Sequence, residues 1–458
     1  MNTPLHESIT FETRDEYYRK PIADRLLKLL TSGTHFSPMV IDGQWGSGKT
    51  EFCYKLKNMI DNSTEHKYRA IYIDAFRADH ADEPLMTLMS AILKIMPEMD
   101  RQPLIQQAIP ALRVGIKTGL NAGVSWLLKT DTASVVSEYQ DILKSSGDDA
   151  INLAIESLLK DHIKAEESIE TLKVALAKLA KSTPLIIFVD ELDRCRPDFA
   201  VNMLESIKHV FDVDGVQFLL VANMDQLRAS INHCYGQGID SQRYLDKFLK
   251  FSFTIPHTYH PQLHSSFIAS EKHLELTIKS NVLLNKSHLK EEGSLEFLKI
   301  LVNANRLSLR EVETFVRYLD VYQVLTNATG FQERLYSGYL FLRASAVFIY
   351  CFKPDMSASL LYGNFYAKDM ANIVGKNKLF DINSGKYPDF ADVFVAMISQ
   401  ESAYTSTDYS FYSEEIKNQW NRLIAEYFGG AYRPEAGKMS KIMVQTIRVL
   451  MLSGDTHV

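Results

Sequence analysis

Residues 39–52 read MVIDGQWGSGKTEF, and this stretch decides the fold. Gly43, four intervening residues and then Gly48-Lys49-Thr50 fit the spacing of a phosphate-binding loop. The flanks suit it. Met39, Val40 and Ile41 form a short apolar run expected to be a buried strand, while Phe52, Leu56, Met59 and Ile60 recur at helical spacing. Glycine takes positive φ without a Cβ clash, so such a loop can wrap closely round phosphates. The amide N–H groups at the helix start then point at the anion. The expected cradle is Gly43, Gly46, Ser47, Gly48, Lys49, Thr50 and Glu51. Lys49 is expected on the terminal phosphates and the Thr50 hydroxyl on Mg2+.

The bulk of the chain bounds what surrounds this loop. With 458 residues, more than one domain is expected. A composition 46% hydrophobic and 23% charged is that of a globular protein with an ample core. The net charge of −6 offers no global attraction to nucleic acid or an anionic bilayer, so nucleic acid is a compatible partner but not an indicated one. Cys53, Cys195, Cys234 and Cys351 lie far apart with no CxxC pair, which argues against a zinc site or a disulfide framework and fits a reducing compartment. The first residues, MNTPLHESITFETRDE, lack the apolar core of a signal peptide. Residues 118–128, TGLNAGVSWLL, are too short to cross a bilayer, and residues 338–352, GYLFLRASAVFIYCF, carry Arg343 and read as a buried core helix. No integral membrane segment is expected, and the location expected is cytoplasmic.

A phosphate loop needs a partner that places the metal and orients the attacking water. Residues 185–197, LIIFVDELDRCRP, offer it. The unbroken apolar run from Leu185 to Val189 is expected of a parallel strand buried on both faces. Asp190 stands at its carboxyl end, where a doubly wound sheet puts its ligands, and takes the Walker B metal role. Glu191 is the expected base for water, with Asp193 a rival. A second buried strand follows in VQFLLVANMDQL, residues 216–227, with Asn223 just past its end as a sensor of the γ-phosphate or a turn former. Arg194 and Arg196 sit beside the carboxylates; either is an arginine-finger candidate or a charge partner for Asp193 or Asp198. Arg243 is a weaker candidate.

Four blocks together carry a resemblance. GQWGSGKT (43–50), AIYIDAFRADHADEPL (70–85), VDELDRCRPDFAVNMLESIKHVF (189–211) and SQRYLDKFLKFSFTIP (241–256) are similar, in this order, to motifs of the KAP family of P-loop NTPases. The resemblance covers roughly residues 15–256. It implies an ATPase core that uses ATP and Mg2+, a catalytic strand between the two Walker strands, and an insert after the first motifs. Many members carry two membrane-spanning helices in that insert, whereas this chain offers only ALRVGIKTGLNAGVSWLL (111–128), so the insert is expected to be helical without them. Many members also carry Asp where Glu191 stands; glutamate reaches one methylene further and suits the base role as well.

The expected fold is therefore α/β: a P-loop NTPase with a mostly parallel sheet, a helical insert between the Walker motifs and a helical C-terminal region. The core spans residues 1–256, with the insert at about 85–165; a helical lid follows at 257–325 and a C-terminal helical domain at 326–458. Ser308-x-x-Glu311 is a capping box that starts the helix in LSLREVETFVRYLDVYQVL (307–325), and Arg310 fits the place of an arginine that a lid delivers to the nucleotide. Ser413 is expected to cap a helix lined by Ile416, Trp420, Leu423 and Tyr427 and ended by Gly429. The function expected is an ATPase that couples turnover to conformational change or assembly in bacterial phage exclusion. Its expected partners are a protein effector encoded nearby and, for an arginine acting in trans, a homo-oligomer. The competing readings are a nucleotide-dependent switch or scaffold with little turnover, and a nucleic-acid translocase or loader, which the acidic balance disfavours.

Overall fold

The structure is a computed structural model. It describes residues 9–106 and 167–453, apart from positions 34–35, 64–66, 82, 97, 99–100, 103, 168, 263–264, 333, 365, 403–406 and 436. The expected insert at 85–165 falls largely on residues 107–166, including the segment 111–128, and these lie outside the described residues. The chain divides into two compact units, one of Met1–Gln44 with Gly48–Ile255, the other of Trp45–Ser47 with Pro256–Val458.

The first unit is built on five parallel strands: β1 (Met39–Asp42), β2 (Arg69–Asp74), β3 (Leu185–Asp190), β4 (Val216–Ala222) and β5 (Phe251–Thr254). Their spatial order is β2-β3-β4-β1-β5, which sets β4 between the two Walker strands β1 and β3, as the family resemblance implies. Of the three inner strands, β3 and β4 are the long apolar runs of the sequence and β1 is the short run before the loop. Every residue of β3 and β4 is buried, because helices cover both faces. Successive side chains alternate between those faces. Met39, Ile41, Ile186, Phe188, Leu219 and Val221 pack with α1 (Lys20–Leu30) and α2 (Lys49–Asp61). Val40, Ile187, Val189, Phe218 and Leu220 pack on the other side with α4 (Pro84–Ile95), α5 (residues 169–182), α6 (Pro197–Val210) and α7 (Met224–Tyr235). A short helix, α3 (Ala75–Ala78), follows β2 directly. The edge strand β5 is largely exposed although its sequence, FSFT, is half aromatic.

The second unit is mainly helical after a two-stranded antiparallel pair, Thr258–Gln262 with Ser265–Ile268. One apolar core runs through it from Leu274 to Leu450. The helix Ser337–Phe352 is its centre, with Leu340 to Ile349 almost wholly buried. Arg343 is carried into that core and donates to the carbonyl of Gly330 at 2.5 Å. The capping box at Ser308 and Glu311 is present, opening the helix Leu309–Leu325, and Ser413 caps Glu414–Glu426. Among the described residues, no helix is long and apolar enough to cross a membrane.

Candidate nucleotide site

The sheet's parallel order aligns the carboxyl ends of its strands. Asp74 is in register with Asp190, Asp190 with Val221, and Asp42 with Ala222, so polar residues from β1, β2 and β3 collect along one edge beside Asn223. This is the edge at which open α/β sheets bind ligands. Between β1 and α2 the chain turns through Gly46 at φ 79° and Gly48 at φ 81°, both in the left-handed region that glycine tolerates. Gly48 is the N-cap of α2, which leaves the first N–H groups of that helix without a capping side chain. Ser47 is buried within the loop.

Lys49 is only 8% exposed. Its ammonium donates to the carbonyls of Gly43 at 2.5 Å and Gln44 at 3.1 Å, so the side chain folds back over the loop that it follows. Burial lowers its pKa, and Asp193, Asp190 and Asp42 oppose that shift by favouring the cation. Thr50 closes the link between the two Walker segments: its hydroxyl donates to Asp190 Oδ2 at 2.7 Å across 140 residues of sequence. Glu51 is turned elsewhere, with its carboxylate on Lys55 at 2.8 Å.

Asp190 is 2% exposed and fully engaged. Oδ2 also accepts from the Tyr72 hydroxyl at 2.5 Å, and Oδ1 accepts from the Glu191 N–H at 2.7 Å. Burial raises its pKa, while the donors Tyr72 and Thr50, the Glu191 N–H and the Lys49 cation all favour the anion. Glu191 sits at φ 58°, a left-handed conformation that costs a non-glycine residue about 1–2 kcal/mol. Such strain recurs where a turn must aim a functional side chain. Burial pushes its pKa up and Arg194, whose Nη1 lies 3.1 Å from its carboxylate, pulls it down. Arg194 thus pairs with Glu191, three residues before it, a partner not named from sequence. Arg196 donates from its backbone N–H and its Nε to the Asp79 carboxylate, both at 3.1 Å, which fixes the Walker B turn to the segment after α3. Asn223 caps α7, its Oδ1 accepting from the Asp225 N–H at 3.0 Å. Arg243 pairs with Asp240 and is exposed.

Three participants are not evident from the sequence. Tyr72 reaches Asp190 only because β2 lies beside β3. Asp42, at the end of β1, accepts from the Met224 N–H at 3.0 Å and ties the turn that holds Asn223. Arg19, buried beside the Tyr17 ring, donates to the Gly48 carbonyl at 3.2 Å and braces the loop from the N-terminal segment. The signal available for Tyr72 is a single hydroxyl in the otherwise apolar strand AIYI; for Arg19, 29 positions from its partner, there is none.

These residues fit a magnesium-bound nucleotide. Among the described residues no group of three His, Cys, Asp or Glu side chains could hold a metal on its own. The pairing of Thr50 with Asp190 instead suits Mg2+, which takes one or two protein ligands and completes its shell with water and phosphate oxygens. Among curated proteins, none matches the chain with significance. A family comparison matches residues 19–326 to the KAP family P-loop domain, about two thirds of the chain. The chain belongs to the KAP family, whose P-loop domain is a nucleotide-binding NTPase fold.

Proposed function

We propose that the protein binds Mg-ATP and hydrolyses it, coupling turnover to a conformational or assembly step. The observation that carries this is the hydrogen bond between Thr50 and Asp190, which unites the phosphate loop with the Walker B carboxylate. The loop amides and Lys49 would bind the phosphates, while Thr50 and Asp190 would hold the metal. Bound magnesium supplies charge neutralisation at the β- and γ-phosphates. Glu191 accepts a proton from the attacking water as its oxygen bonds to the γ-phosphorus; the bond to the bridging oxygen breaks and ADP leaves. Asn223 orients a γ-phosphate oxygen through its amide nitrogen. Phosphate release from ATP with Mg2+ present, and its loss in EDTA, is the expected result. No turnover above spontaneous hydrolysis would remove the enzymatic part of this reading.

One observation favours a second reading, a switch with little basal turnover. The carboxylate of Glu191 is held by Arg194. Both side chains are partly exposed, at 30% and 24%, and such a pair contributes at most about 1 kcal/mol. The pair slows activation without locking the site, so the ATPase reading stands first. A partner captured with ATP but not ADP, in the absence of phosphate release, would select the switch. A setting in phage exclusion, with an effector encoded nearby and a homo-oligomer that brings an arginine in trans, is the outer part of the proposal and rests on family analogy.

A further inference from the structure

The second side-chain donor to Asp190 has no place in the phosphate-loop pattern. Tyr72 lies on β2 in register with Phe188, two residues before Asp190 on β3, and so shares a sheet face with both. Its hydroxyl donates to Oδ2 at 2.5 Å, the same oxygen that accepts from Thr50. The ring is clamped against Tyr54 of α2, with centroids 4.2 Å apart and planes at 26°. A phenolic hydroxyl is protonated at neutral pH, so toward the Asp190 carboxylate it is the donor.

We propose that Tyr72 is a positioning residue that orients the Asp190 carboxylate toward the metal of a bound Mg-nucleotide. This rests on the reading of the site as a nucleotide site. Thr50 is itself assigned to the metal, so its bond to Asp190 is the one surrendered on loading. Tyr72 is then the side-chain donor that remains to hold Oδ2. Partners that orient a ligating carboxylate set metal affinity without touching the metal. The register of β2 and β3 sets where the hydroxyl stands, and the Tyr54 ring covers one face of Tyr72.

The test is binding of a fluorescent, non-hydrolysable ATP analogue to the full chain, in EDTA and across a magnesium titration. Tyr72→Phe keeps the ring and its stack. Its affinity in EDTA is expected to match the parent, which doubles as the check of folding, while the Mg2+ needed for half-maximal tightening rises roughly tenfold or more. Tyr54→Leu, which leaves the hydroxyl in place, is expected to shift the magnesium requirement less. A Tyr72→Phe requirement within about twofold of the parent overturns the proposal. An equal shift in both variants also overturns it, because packing and not the hydroxyl would be responsible. A parent that fails to bind the analogue at all would instead sink the nucleotide-site reading beneath it, and one that binds with no magnesium effect would overturn the metal role on which the proposal depends.

Discussion

Glu191 carries two opposing influences that a titration can separate. Burial raises its pKa and Arg194 lowers it. As the proposed base it works ionised, so turnover is expected above its pKa and is expected to be lost as pH falls through it. Because the net shift is upward, the acid limb of kcat is expected above the ordinary carboxylate range. Arg194→Gln removes the lowering influence, so the limb is expected to move to still higher pH. A limb that stays in place in this variant would mean that the base is another group or that the pair is absent during turnover. The meeting of Thr50 with Asp190 was legible in the sequence, from the spacing of the loop and from the apolar run that ends at Asp190. The roles of Tyr72 and Asp42 were not, since each depends on which strands become neighbours. Nor was the Arg194–Glu191 pair, which follows from the short helical turn Leu192–Arg194 after a left-handed residue.

Elements were easier to read than their surroundings. Unbroken apolar runs marked β3 and β4, and capping chemistry marked the helices that start after Ser308 and Ser413. Strand β5 shows the limit: FSFT reads as apolar, yet it is the last strand of the sheet and much of it meets solvent. Helix packing yields a prediction of its own at Gly338, the second residue of Ser337–Phe352. Alanine is favoured over glycine within a helix by about 1 kcal/mol. A Cβ at Gly338, however, would lie 2.5–2.7 Å from three ring atoms of Phe428, which is fully buried and cannot swing aside. Overpacking of that kind costs about 1–3 kcal/mol and exceeds the propensity gain at a helix start. Gly338→Ala is therefore expected to lower the midpoint of the helical unit's calorimetric transition. An unchanged or raised midpoint would show that the ring relaxes.

At the scale of the whole molecule, the sequence placed the P-loop core by its motifs, and the strand order completes it by inserting β4 between the Walker strands. The insert, implied by the family resemblance, lies mostly outside the described residues. Helical content after residue 256 was legible from periodicity, whereas the continuity of its core from Leu274 to Leu450 depends on long-range packing that periodicity does not encode. The central claim is that Lys49, Thr50, Asp190 and Glu191 serve one Mg-ATP. Phosphate release by the full chain tests it most directly. Lys49→Ala is expected to lose nucleotide binding and turnover together, while Glu191→Gln keeps binding and loses about 10²–10⁴-fold in kcat. Turnover that persists at the parental rate in both variants would contradict the account.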